Sequence, residues 1–222
     1  MGLSSTRFWF ALLSVGFLTA ACSKQTRVLP IDGRVQNGVY TNAFFAFSLR
    51  IRDSWTISNQ TYTASMRKQF AEKIYKGVGP DRQNAKEIAN FLANGMTMLL
   101  RLQRESPITR LPELIDFNSI PCSWGSSRMS AADMAASTDK TMTTQPPTRT
   151  RVGEITDIMI GGKVFKRASY SKPSVGGLIL RQDLLIMTSE RQALQIVLTA
   201  FDARDIEDQM ELLKSALKFS SQ

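Results

Sequence analysis

The chain has 222 residues with 43% hydrophobic, 21% charged and 9% aromatic content, which excludes a disordered chain and a multi-span membrane protein and suits one domain with a real core. Its 28 Lys and Arg against 19 Asp and Glu leave a formal net charge of +9. Histidine is absent, which removes His-based triads, Cys-His dyads, HExxH zinc proteases and facial-triad iron sites together.

Residues 1–22 read MGLSSTRFWFALLSVGFLTAAC: Arg7, then an apolar run Phe8–Leu18 broken only by Ser14 and Gly16, then small residues up to Cys22. A helix needs about 20 apolar residues to cross the hydrocarbon core. The run is too short for that and reads as a secretory signal over 1–21. Its end, Leu18-Thr19-Ala20-Ala21-Cys22, resembles the bacterial lipobox, with Thr19 three places before the cysteine and Leu18 one place further out. The resemblance implies a diacylglyceryl group and palmitate-type acyl chains on Cys22, which would hold an otherwise water-soluble protein to a membrane. Ser23 in the next position implies, on the same resemblance, the outer membrane, with the protein facing the periplasm. With Cys22 acylated, no second cysteine is left for Cys122 to bridge to, and Cys122 reads as a small half-buried hydrophobe.

Residues 22–38 are polar with Pro30 and Gly33, and read as the lipidated cysteine and a tether. In Val39–Ile51 the residues Phe45, Phe47, Leu49 and Ile51 alternate with Ala46, Ser48 and Arg50, the period of a half-buried strand. Trp55–Ser58 begins a short second one. Met66, Phe70 and Ile74 at spacings of four predict an amphipathic helix over Ala64–Tyr75, and a second helix is expected from Asp81 to Gly95. Met96–Gln103 is short and strongly apolar, which predicts a central strand, and Leu111–Ile120 is ambiguous.

Ser130–Thr150 is dominated by Ala, Ser, Thr and Met. It reads as a long surface loop with room for one marginal helix over Ala131–Ala136. Then β signals follow: Val152–Ile160, a turn at Gly161-Gly162, Lys163–Tyr170, Leu178–Thr188 and Ala193–Ala200. A closing helix is capped at Asp202 or Ala203, with Ile206, Met210, Leu213 and Leu217 on one face. This ordering predicts a single α+β domain over 39–222, a central antiparallel sheet flanked by helices on its faces.

The stretch Gly38–Leu49 (GVYTNAFFAFSL) followed by Ser54-Trp55 resembles the opening of PsbP-like (DcrB-like) exported proteins, Arg52-Asp53 standing where a proline often precedes the Trp. Gly161–Phe165 and an Asp205–Phe219 helix resemble the end of the same domains. The resemblance implies an α/β/α sandwich and an accessory or assembly role in the envelope, with no shared catalytic residues.

Charge is uneven. Ser23–Arg110 holds 14 basic and 6 acidic residues, while Leu111–Gln222 holds 13 of each. Arg50, Arg52, Arg67, Lys68, Lys73 and Lys76 are therefore the candidate partner surface, against the plainer reading of a solvated basic face. No helix-turn-helix, zinc-finger or RNP motif accompanies them, so nucleic acid is not expected. Tyr40 and Phe44, on the parity opposite Phe45 and Phe47, are candidates for a pocket rim. Asp202, Asp205, Glu207 and Asp208 crowd the start of the closing helix, where carboxylates oppose the helix dipole; a cation site there is the weaker reading. No catalytic, metal or cofactor site is expected. The function expected is a lipid-anchored, non-enzymatic binding or assembly module with a protein partner in the envelope. The alternative is a periplasm-facing carrier of a small ligand or lipid in a cavity between sheet and helices.

Overall fold

The computed structural model describes residues 33–58, 96–124, 127–144, 148–189 and 192–220. The expected signal over 1–21, Cys22, the helices expected at 64–75 and 81–95, and Arg67, Lys68, Lys73 and Lys76 lie outside the described residues.

The chain enters through three short strands, β1 (Gly33–Gln36), β2 (Val39–Asn42) and β3 (Phe47–Arg50). Pairing thus begins inside the stretch expected to be tether. Asn37 and Gly38 join β1 to β2 with φ of 50° and 70°, the left-handed pair that a two-residue hairpin of this twist requires. The single strand expected across Val39–Ile51 is in fact two, separated by a turn at 43–46 in which Ala46 has φ 53°. β4 (Thr56–Ile57) and the long strands β5 (Thr97–Glu105) and β6 (Pro112–Pro121) follow. A two-residue pair, β7 (Ser123–Trp124) and β8 (Ser127–Arg128), leads to helix α1 (Ala131–Thr144). The long strands β9 (Thr150–Ile160), β10 (Lys163–Pro173), β11 (Ile179–Ser189) and β12 (Gln192–Ala200) come next. Helix α2 (Ala203–Ala216) and β13 (Leu217–Phe219) close the described chain.

All pairings are antiparallel. One sheet has the order β4-β5-β6-β12-β11-β10-β9 and the other β1-β2-β3-β13. The expected α/β/α sandwich is overturned: the described chain is mostly β, with two large sheets, the small β7-β8 pair and two α-helices. The physical reason lies in the period of the N-terminal apolar residues. Phe47 and Leu49 alternate along β3, and Tyr40 lies opposite Leu49 across the hairpin, so the three make one face of a sheet. That face packs on the seven-stranded sheet, with Phe47 stacked on Phe117 at 5.8 Å between ring centroids. The layer that a helix would supply is therefore shared between the small sheet and α2, whose Ile206, Met210, Leu212 and Leu213 complete the same core. The expected run of helix to Phe219 stops at Ala216 instead. Leu217 to Phe219 turn into β13 and pair with Leu49 to Phe47.

The opposite face of the large sheet carries a smaller core. Ala168, Tyr170, Leu184, Ile186 and Ala193 meet Ile120, Cys122 and, from α1, Met134 and Ala135. Cys122 is fully buried here, and burial pushes its thiol pKa up. The stretch expected to be a loop is a 14-residue helix. It is started by a reciprocal cap in which the Asp133 amide donates to Ser130 Oγ at 3.1 Å and the Ser130 amide donates to Asp133 Oδ2 at 3.0 Å. Tyr170 donates its hydroxyl to Asp139 of α1 at 3.2 Å, and Arg151 pairs with the same carboxylate at 3.1 Å. Those contacts tie α1 to β10 and β9.

Candidate functional site

The four strands of the small sheet read GRVQ, VYTN, FSLR and LKF, without one carboxylate. Register decides which way their side chains face. Arg34 lies opposite Thr41, Thr41 opposite Ser48, and Ser48 opposite Lys218, while Gln36 lies opposite Val39 and Val39 opposite Arg50. These residues share the outer face, because the other parity (Tyr40, Asn42, Phe47, Leu49, Leu217) is buried. Arg34, Arg50 and Lys218 are exposed on it, and Arg52 just beyond β3 donates from its guanidinium to Ser215 Oγ of α2 at 3.1 Å. Among the described residues none of these four cations forms an ion pair, although nine ion pairs are made elsewhere. A shallow concavity of about 400 Å³ opens beside Arg50, Arg52 and Lys218, lined also by Val39, Ser48, Ser215 and Ala216. Guanidinium groups offer flat, paired donors of the geometry a carboxylate matches, whereas the Ser215 hydroxyl is taken up, donating to the Glu211 carbonyl at 2.7 Å.

The structure thus brings Arg50 and Arg52 together and adds two cations that the sequence reading did not place with them. Arg34 had been assigned to the tether, and Lys218 to the end of a helix. The Asn37-Gly38 dipeptide was the signal that could have found Arg34. Nothing local marks Lys218, since its place follows from β13 pairing with β3.

Tyr40 and Phe44 line neither concavity. Tyr40 is 2% exposed and packs on Phe47 at 5.7 Å, because the turn at 43–46 puts the two on the same parity. Its hydroxyl donates to the Leu99 carbonyl at 3.3 Å and accepts from the Asn42 amide at 3.3 Å, and burial raises its pKa. Phe44 is half-buried, edge-on to Phe45 at 4.9 Å. A second concavity of about 210 Å³ runs past Phe45, Val164, Met187 and Phe219, smaller than the ~300–1,000 Å³ usual for a ligand pocket. In the acidic group at the start of α2, Asp202 caps the helix by accepting from the Arg204 amide at 2.9 Å, and the Arg204 guanidinium bond first, with this amide second, holds its carboxyl pKa down. Asp205 is buried, and Asp208 is exposed, 3.6 Å from Arg104. Among the described residues no three His, Cys, Asp or Glu side chains are disposed to hold a metal ion, and no helix is long and apolar enough to cross a membrane.

No protein family matches the chain, and no curated protein matches it. Among solved structures it is similar to LpqN of Mycobacterium tuberculosis, described as involved in cell envelope biogenesis. The identity is 13%, over 79% of this chain and 83% of that one, with a TM-score of 0.41. At that score the likeness carries no argument about fold or role.

Proposed function

We propose that the protein is a non-enzymatic binding or assembly module of the cell envelope, held to the outer membrane by acyl chains on Cys22, that receives an acidic protein segment on the outer face of its small sheet. The observation that carries this reading is the carboxylate-free face that bears Arg34, Arg50 and Lys218, with Arg52 beside it, the last three lining a shallow concavity. Cations that form no ion pair among the described residues are available to an outside carboxylate, and such a row steers an acidic partner and fixes how it docks. The signal-like run and the Leu18–Cys22 motif support export and anchoring. Gly33 follows Cys22 by eleven residues, a stretch of at most about 40 Å when fully extended, so the basic face would stay close to the membrane that holds the lipid.

Two measurements test this. Intact mass of the membrane-extracted protein should show acylated species beginning at Cys22 that vanish in Cys22→Ser; an unlipidated product removes the anchor. The double reversal Arg50→Glu with Lys218→Glu should lower recovery of the co-purifying partner at least tenfold without changing the circular dichroism or the melting temperature, because both side chains are exposed. Unchanged recovery overturns the docking face. If no protein is lost but Cys22→Ser protein ceases to bind phosphatidylglycerol vesicles after the reversal, the face serves lipid headgroups instead and the protein-partner reading fails.

A further inference from the structure

Between the β5–β6 hairpin and α2 lies a group of polar side chains that the basic face does not use. Glu113 of β6, Asp205 and Gln209 of α2 and Ser106 after β5 are all 0–1% exposed. Gln209 donates its amide to Glu113 Oε2 at 2.9 Å and to the Thr199 carbonyl at 3.2 Å, and Arg104 donates to the same Oε2 at 3.0 Å. Ser106 donates its hydroxyl to Asp205 Oδ2 at 2.6 Å. One oxygen of each acceptor is left over. Glu113 Oε1, Asp205 Oδ1 and Gln209 Oε1 are buried with no hydrogen-bond partner among the described residues.

Three buried acceptors without a donor are costly, because each gives up its hydrogen bonds to water and gains none in return. Charge adds to the problem. Arg104 supplies one cation, stacked 4.7 Å from the Trp55 ring centroid, against the two buried carboxylates Glu113 and Asp205. With both ionised the group would bury an excess negative charge, which a protein avoids by pairing or neutralising it. A metal ion would need room, and neither concavity described above reaches these atoms. A proton needs none.

We propose that Glu113 is held as the neutral carboxylic acid, its Oε1 hydrogen donated to Gln209 Oε1, and that this acid–amide pair latches α2 to the β5–β6 hairpin in a pH-sensitive way. The pairing is reciprocal, since Gln209 already donates to the other Glu113 oxygen, and one hydrogen turns two orphaned acceptors into a bond. Asp205 has support that Glu113 lacks: it sits in the first turn of α2, where the helix dipole favours an anion, and it accepts from Ser106. The charged groups facing Glu113 are Arg104 from β5 and Asp205 from α2, with the exposed Asp208 reaching Arg104 from the helix. Burial is the largest influence on Glu113 and raises its pKa. The Gln209 and Arg104 bonds oppose it, and the Asp205 charge adds to it.

The sign follows from a folded pKa above the ordinary carboxyl value of 4.5. The stabilisation is fully present below that value and is lost as pH rises through the folded one. Urea unfolding of the full chain between about pH 4 and pH 9, alongside Glu113→Gln, is the test. The folding constant of the natural chain should fall relative to the variant as pH rises, by tenfold for every pH unit separating folded and ordinary values. Parallel profiles, or a natural chain that gains on the variant, overturn the proposal. If Glu113→Gln does not fold, the carboxyl-carbon resonance of Glu113 in the natural chain decides it. Titration above the ordinary range supports the latch, and titration at or below that range overturns it. Stabilisation by calcium chloride beyond that of matched ionic strength, present in the natural chain and absent from Glu113→Gln, also overturns it by putting a cation in the proton's place.

Discussion

Phe117 stands where the two sheets meet. It is fully buried on β6, stacked on Phe47 of the small sheet, and shares its core with Ile206 and Met210 of α2. Replacing it by alanine removes a large apolar side chain from a site whose neighbours belong to three separate elements and so cannot all close in. Phe117→Ala is expected to cost about 3–5 kcal/mol, read as a fall in the urea midpoint at unchanged slope. At this scale the sequence was legible for apolar residues and opaque for polar ones. The alternation that buries Phe47 and Leu49 is visible in the residues, whereas the same alternation around Glu113 gives no sign that a carboxylate turns inward. What decides it is Gln209 and Arg104, which arrive from α2 and β5 and are not neighbours in the chain.

Among the elements, the strand signals from Val152 onward were the clearest. Gly161-Gly162 has φ of 57° and 80°, and β9 and β10 pair from Ile160 and Lys163 outward as a two-residue hairpin demands. Gly161 is also pressed against the Leu217 carbonyl, which a Cβ would meet at 2.7 Å. Gly161→Ala should therefore destabilise by more than the ~1 kcal/mol of the left-handed backbone alone, while Gly162→Ala, whose Cβ meets nothing within 4 Å, should cost only the backbone part. Thermal melts of the two variants side by side check this.

Helix α1 was hidden for a different reason. Its Ala, Ser, Thr and Met residues give little amphipathic contrast, and only Met134 and Ala135 are buried. Its start was nevertheless written in the chain, as Ser130 with Asp133 three places on. Ser130→Ala should remove about 1 kcal/mol and a measurable part of the helical ellipticity. The small sheet was the least legible element. β1 buries no side chain and its one large apolar residue, Val35, is exposed, while β13 is three residues that follow the apolar rhythm of α2 without a break. A layer assembled from strands so far apart in sequence leaves no local pattern, which is why the residues read as a helix-flanked sandwich.

Over the whole molecule, charge is arranged by face rather than spread. The acidic residues of the second half are largely taken up in pairs, Asp116 with Arg101, Asp183 with Arg167, Asp157 with Lys166 and Asp139 with Arg151. The row on the small sheet has no such partners among the described residues, and Arg34, Arg50 and Lys218 are exposed. Binding of an acidic partner there should weaken steeply between low and physiological salt, because exposed charges are screened beyond about 8 Å at 0.15 M. The association rate measured against ionic strength should carry most of that dependence in the natural chain and little of it after Arg50→Glu with Lys218→Glu.

The pairing of Leu217 to Phe219 with β3 also sets a timetable. A chain that emerges with its N-terminal side first makes Tyr40, Phe47 and Leu49 early, but the sheet that buries them lacks its fourth strand until residues 217–219 arrive. Contacts this distant in sequence close slowly and late. In the interval the edge of β3 that β13 will cover has no partner strand, and an unpaired edge accepts a strand from another chain as readily as from its own.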